Sequence, residues 1–240
     1  MNGPDGTWDD VAAWWIGEVG DDPVYREDVG PIFDRLMDGY DQPVIDLGCG
    51  EGQWLRRLDP AVTAFGTDAS AELLARARST APVARADLPD LSWVRDGAVG
   101  TAVSIFVLDL LADHERFFAE AARVVRSGGT LVVVINHPAF TAPGSGPFLD
   151  PDFDVFWRWG NYLENGADEI PAGDGSVTMY HRSTATLLTA AAAAGWSLEA
   201  MVEAPLGPAA IEREPAYVGQ ESIPRFLGVR WRRTERVSGG

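Results

Sequence analysis

The sequence contains no lysine. All 19 basic side chains are arginine, set against 36 acids, for a net charge of −17. So acidic a chain lacks the broad cationic surface that neutralises a nucleic-acid backbone and the basic clusters that hold proteins to anionic lipid. Neither nucleic acid nor a membrane is an expected partner. Cysteine is nearly absent too: Cys49 stands alone, so no intrachain disulfide can form, which suits a reducing cytoplasm. No apolar run reaches the roughly 18 residues of a membrane span. Met1 to Asp10 has neither a basic n-region nor an apolar h-region, so no signal peptide is expected. The three histidines lack metal-ligand spacing, and no metal is expected.

What is present is a sizeable apolar fraction, 46%, and nine tryptophans in 240 residues. Apolar runs at Val44–Leu47, Val62–Gly66, Pro82–Ala86, Val99–Leu108, Leu131–Ile135, Ser197–Glu203 and Phe226–Arg232 read as strands. Helical patterns at Trp54–Leu58, Ala71–Ser79, Asp113–Arg126 and Thr184–Ala194 separate them. Ser127-Gly128-Gly129 and Gly195 read as helix stops. The unbroken run Leu131–Ile135 suits a strand buried on both faces.

Alternating strands and helices imply right-handed βαβ units. The expected fold is α/β: a Rossmann-like, open, mostly parallel seven-stranded sheet with helices on both faces. Residues 1–43 are expected to form an N-terminal helical cap, 44–137 the ligand-binding core, 138–182 an insertion or lid, and 183–240 the rest of the sheet. The insertion is rich in Pro, Gly and aromatics, without clear period, and such long irregular stretches tend to be functional. Acids crowd residues 1–28 and arginines residues 225–236. Both read as solvated surface, and the sharper alternative is that the two ends face each other.

The segment Val44-Ile45-Asp46-Leu47-Gly48-Cys49-Gly50-Glu51-Gly52 follows a strand and opens a helix. Glycines there allow a sharp turn and close approach of a ligand to the main chain. A dinucleotide loop, G-x-G-x-x-G, would need its third glycine where Gln53 stands. The pattern present instead, Asp-x-Gly-x-Gly-x-Gly, resembles the first motif of class I methyltransferases dependent on S-adenosylmethionine (SAM). Gly66-Thr67-Asp68-Ala69-Ser70 resembles their second motif, Ala86-Asp87-Leu88-Pro89 the third, and Val103–Leu111 with Asp113 the fourth strand and its exit. Arg123 to Leu131 resembles the helix, glycine turn and fifth strand. The likeness is close over residues 40–136 and loose elsewhere.

The resemblance implies SAM as cofactor and S-adenosylhomocysteine (SAH) as product. It places Gly48 and Gly50 against the methionine end and ribose, and Asp46 behind the loop towards the ammonium. Asp68, with Ala69 beside it, would accept both ribose hydroxyls; Asp87 and the Leu88 N–H would meet the adenine; a carbonyl near Phe106 would face the ammonium. Cys49 belongs to the same loop, as a small packed residue and not a nucleophile.

Methyl transfer from a sulfonium needs alignment above all, and a base only where the nucleophile must shed a proton. His137 directly follows the fifth strand and is the expected base. In relatives that methylate small molecules this strand exit often reads Leu-Glu-His after the fourth strand; here it is Leu108-Asp109-Leu110, which moves the burden to His137. Tyr25 is expected to touch the cofactor or relay a proton, and Arg26 to pair with the SAM carboxylate. His181-Arg182 reads as a strand-end surface pair. Trp14, Trp15, Trp157, Trp159 and Tyr162 are expected to wall the acceptor, with Trp14, Trp157, Trp159 and Tyr162 taken as substrate contacts. The expectation is a cytoplasmic methyltransferase of a small, natural-product-type aromatic acceptor, with an indole as one fit, acting as monomer or homodimer. Oxygen or nitrogen methylation of another small molecule is the alternative. A non-catalytic SAM-binding protein, a dinucleotide oxidoreductase and a protein methyltransferase are the remaining rivals, and the acidic charge disfavours RNA.

Overall fold

Leu131–Ile135 lies at the heart of the sheet, inside the 12-residue strand β5 (Val125–Asn136). The computed structural model describes residues 8–19, 22–152 and 154–234. Its main sheet has seven strands in the order β10-β11-β5-β4-β1-β2-β3. These are β1 (Val44–Leu47), β2 (Ala64–Asp68), β3 (Val83–Arg85), β4 (Val99–Ile105), β10 (Trp196–Ala204) and β11 (Phe226–Arg233), with β5. Strands β5, β4, β1, β2 and β3 pair in parallel, and β11 runs antiparallel to both β5 and β10.

Alternation along β5 builds a core on each face. Leu131, Val133 and Ile135 meet helices α4 (His114–Val124) and α6 (Thr184–Ala193) through Phe117, Phe118 and Leu187. Val132 and Val134 meet α2 (Gly30–Met37) through Ile32, Phe33 and Leu36. The short α3 (Ala71–Ala77) is capped by Ser70, whose Oγ accepts from the Leu73 N–H. From β1 the chain steps to β2 and β3 on one side, then crosses to β4 and β5 on the other. The crevice at the carboxyl ends of β1 and β4 is therefore the topological switch point, where open α/β sheets bind ligands.

Four sequence expectations change. The helix expected over Asp113–Arg126 ends at Val124, and Ser127-Gly128-Gly129 lies inside β5. There the β4–β5 register slips between Val99 and Thr101, and a Cβ on Gly129 would strike the Gly100 carbonyl. The pair marks a bulge, not a helix stop. The helix expected at Trp54–Leu58 is a single 3₁₀ turn, Leu55–Arg57. The stretch 138–182 is regular: α5 (Pro138–Thr141), then two hairpins, β6 (Gly146–Leu149) with β7 (Val155–Arg158) and β8 (Gly166–Ala172) with β9 (Gly175–His181). The C-terminal arginines divide, for Arg230 and Arg232 both pair with Glu199 on β10, whereas Arg225 lines a chamber together with Glu18 and Asp22 of the acidic N-terminal stretch.

In the N-terminal region, α1 (Trp8–Val19) packs on α3 and β8, and a π-helical turn, Tyr25–Val29, leads into α2. A last short helix, α7 (Pro208–Arg213), precedes β11. Residues 1–7, most of the Met1–Asp10 stretch, lie outside the described residues, as does Arg236. Among the described residues no helix is long and apolar enough to cross a membrane, and no group of three His, Cys, Asp or Glu residues is arranged to hold a metal ion.

Candidate active site

After β1 the chain turns at Gly48, whose φ is +80°, and again at Gly50, at +53°. A side chain on Gly48 would run into Val107, so glycine alone keeps the loop pressed to the end of β4. The Gly48 and Cys49 N–H groups both donate to the Thr67 carbonyl, at 2.8 and 2.9 Å. Cys49 turns inward against Leu55, Leu74 and Ala77, and burial pushes its thiol well above the usual range. It is structural, and it does not line the crevice.

Asp68, at the end of β2, accepts from the Gly50 N–H through Oδ2 (2.8 Å) and from the Ser70 N–H through Oδ1 (2.9 Å). One carboxylate thus ties the glycine loop to the start of α3. Each oxygen keeps a further lone pair for a ligand hydroxyl. Burial raises its pKa, against the pull of these N–H donors.

Asp46, beneath the loop, is 2% exposed, and neither oxygen has a hydrogen-bond partner among the described residues. Burial, then the neighbouring Asp68 charge, pushes it up to about 8. With the folded value above the unfolded 3.8, the proton that Asp46 holds stabilises the fold at low pH. That contribution is lost as pH rises from about 4 through about 8. Asp46→Asn should therefore melt progressively higher than the parent as pH is raised across this window. A constant difference in Tm from pH 4 to 8 would contradict the assignment.

Two openings meet above these residues. A narrow slot of about 60 Å³ runs between Gly48, Gly50, Asp68, Ala69 and the pair Ala86 and Leu88. Its outer wall is Trp8 and Trp15 of α1. That helix is pinned by Asp9, which accepts from Ser70 Oγ (2.7 Å), the Glu72 N–H (3.2 Å) and Arg85 Nη2 (3.3 Å). A chamber of about 600 Å³ adjoins the slot and shares Trp8, Trp15, Phe106 and Leu110 with it. Phe106 sits at the junction with φ +56°, a strained value for a residue with a side chain.

The chamber is walled by aromatic and apolar groups, among them Trp14, Tyr25, Met179, Tyr217 and Phe226. Its polar groups include Asp109, which is buried, and Asn136 and Arg225, which are half-buried. Asn136 Nδ2 donates to Asp109 Oδ2 at 2.9 Å, while Oδ1 has no partner among the described residues. Burial raises the Asp109 pKa, with the Asn136 hydrogen bond opposing.

The residues expected from sequence divide between these openings and other parts of the fold. Gly48, Gly50, Asp68, Ala69, Leu88 and Phe106 line the slot, and Tyr25, Trp14 and Phe106 line the chamber. Asp87 is exposed between Ala86 and Leu88 and is not among the lining residues. Tyr25 packs edge-on against Phe106 at 5.2 Å, and burial drives its hydroxyl far above its ordinary range, so it can donate but not serve as a base.

His137 is not a base facing the chamber. Its Nδ1 accepts from the Ala139 N–H (3.0 Å), capping α5, which leaves Nε2 to carry the proton towards Glu203 (2.8 Å). Both ring nitrogens are used. The side chain at the chamber is its neighbour Asn136, because successive residues at a strand end point to opposite faces. Arg26 is exposed and paired with Glu27 at 2.9 Å, away from both openings.

Trp157, Trp159 and Tyr162 do not reach the chamber either. Trp157 Nε1 donates to the Ala139 carbonyl, Trp159 is 56% exposed, and the Tyr162 hydroxyl donates to Thr184 Oγ1. The β8–β9 hairpin reaches it instead, through Ile170, Val177 and Met179. His181 and Arg182 are buried, not a surface pair; Arg182 donates to the carbonyls of Leu108, Leu111 and Ala112 and fixes the turn that presents Asp109.

Residues 45–133 match the family model described as a methyltransferase domain. The chain carries a class I SAM-dependent methyltransferase domain. A SAM-dependent methyltransferase of Mesorhizobium loti superposes on it with a TM-score of 0.74 and 28% identity, covering 85% of this chain and 96% of that one. Phosphatidylethanolamine N-methyltransferase of Cereibacter sphaeroides is 35% identical over 103 residues, 39% of this chain and 50% of that protein. Trans-aconitate 2-methyltransferase of Variovorax paradoxus (strain S110) is 34% identical over 95 residues, 38% of this chain and 37% of that protein. The chain thus spans half or less of these curated relatives. SAM is the cofactor of this methyltransferase family. The slot fits it: Asp68, with a lone pair left on each oxygen, suits a ribose diol, and Gly48 and Gly50 line the slot with backbone alone, while Asp46 lies beneath the loop and lines neither opening.

Proposed function

We propose that this methyltransferase acts on a small, flat acceptor held in the aromatic chamber, with SAM as donor. The observation that carries the reading is the shared wall of slot and chamber at Trp8, Trp15, Phe106 and Leu110. A nucleophile in the chamber meets the mouth of the slot directly. Bound SAM supplies a methyl group already activated on a sulfonium.

The chain's own residues bind, orient and take up a proton. Asp68 accepts from the ribose hydroxyls while holding the Gly50 and Ser70 N–H groups, and Asp46 balances the cationic end beneath the loop. Ala86 and Leu88 flank the adenine, and the Phe106 carbonyl faces the ammonium. The slot is narrow, about 60 Å³, and opens into the larger chamber, so Trp8 and Trp15 of α1 would lie against the bound adenosyl group.

Trp14, Trp15, Tyr25 and Tyr217 favour a planar acceptor, and an electron-rich aromatic such as an indole fits. Asp109, buried and with Oδ1 unpartnered, takes the proton released from an N–H or O–H acceptor. The two curated relatives are named for unlike acceptors, so the acceptor class is argued from this chamber alone.

Incubation with methyl-labelled SAM and a panel of aromatic and heteroaromatic acceptors tests the proposal. Label transfer to a planar acceptor, with SAH formed in equal amount, is expected. SAH binding without transfer to any of them would overturn it in favour of a non-catalytic SAM-binding protein.

A further inference from the structure

A cationic N–H shut away from water without a hydrogen-bond partner is expensive, because burial removes its hydration and nothing replaces the lost bond. Arg225 carries such a group. It lines the chamber, and its Nη1 is buried with no hydrogen-bond partner among the described residues. The cost is visible in its pKa, which burial pulls down to about 10.

The residue is anchored by its backbone, and its side chain rests on an aromatic ring. The Arg225 N–H donates to the Ala204 carbonyl (2.8 Å), and its own carbonyl accepts from the His137 N–H (2.8 Å). The guanidinium carbon sits over the Phe140 ring, 3.3 Å from its centroid. A stacked, planar fork with a free edge is the geometry that pairs with a carboxylate. The other arginine of the chamber, Arg213, is already near Glu27 at 3.7 Å.

Position assigns the ligand to the acceptor side. Arg225 precedes Phe226, the first residue of β11, which lies two strands beyond β4 in the sheet. At about 4.8 Å per strand, that is about 10 Å from the junction at Phe106. Arg225 lines the chamber and not the slot. Glu18, Asp22, Asp109 and Glu214 also line the chamber, so an anion finds one favourable station there.

We propose that Arg225 is a specificity-determining residue, and that the acceptor is a small, flat carboxylic acid whose carboxylate pairs with its guanidinium. The inference rests on the reading that the chamber holds the acceptor. A carboxylate at Arg225 leaves the rest of a planar molecule between the aromatic walls, with Asp109 facing its N–H or O–H.

The test is calorimetry on the SAH-loaded protein with matched pairs: planar aromatic and indole carboxylic acids against their primary amides. The acids should bind at least tenfold tighter. Arg225→Gln should abolish that preference while SAH affinity stays within twofold, and its unliganded Tm should not fall, since a buried cationic N–H without a partner is removed. Arg225→Lys should recover part of the preference. Equal binding of acids and amides by the parent would overturn the proposal. A tenfold loss of SAH affinity in Arg225→Gln would also overturn it and assign the guanidinium to the cofactor's own carboxylate. If neither acids nor amides bind although SAH does, the chamber is not the acceptor site, and the proposed function fails with the inference.

Discussion

Asp68→Asn is expected to weaken SAH binding roughly 100-fold with little change in fold. Hydrogen bonds to a charged acceptor are worth about 1.5–3 kcal/mol each, and about 3 kcal/mol in total corresponds to roughly 100-fold in Kd. Asparagine keeps one acceptor oxygen, which can still serve Gly50 or Ser70, but it cannot take a ribose diol and both N–H groups as the carboxylate can. Asp68→Ala should lose still more and should also loosen the loop. Calorimetric titration with SAH, with circular dichroism for the fold, reads both effects. An Asp68→Asn protein that binds SAH as the parent does would remove Asp68 from the cofactor site.

Asp109→Asn is expected to lower kcat by about 10²–10⁴-fold for an acceptor that must lose a proton, with SAH affinity unchanged. The substitution is nearly isosteric and can keep a contact with Asn136, so the fold should survive. The parent's pH profile carries the second signature. Burial holds the Asp109 carboxyl above its ordinary range, so the active, ionised form is lost as pH falls through that raised value. The rate should therefore rise with pH on the acid limb, and the limb should vanish in Asp109→Asn. Tyr25, Arg182, Arg225 and Asn136 all face this carboxyl and help set where the limb falls. An unchanged limb in the variant would reassign the proton acceptor.

Motifs in which the ligand constrains the backbone were legible before the fold was known. The family resemblance singled out Gly48, Gly50 and Asp68, and the fold brings them together, with Gly48 turned against Val107 and Asp68 accepting from the Gly50 N–H. The chamber was far less legible. One residue of phase separates His137 from Asn136, and a strand end reverses which side chain faces the ligand. The tryptophans of the insertion looked like a wall, yet two hairpins turn Trp157 towards Ala139 and Trp159 to the surface. Asp109 stood in the motif that departs from relatives, where it marked a missing histidine, not a group in its own right. Arg225 belongs to a cluster of five arginines, and only the pairing of β11 with β5 takes it out of that charged stretch and into the chamber.

The measurement that bears most directly on this account is a crystal structure of the chain with SAH. The account predicts the ribose on Asp68, the ammonium above Asp46, and the sulfur beside Phe106 facing the chamber that holds Asp109 and Arg225. SAH seated elsewhere, or with its sulfur turned away from that chamber, would contradict it.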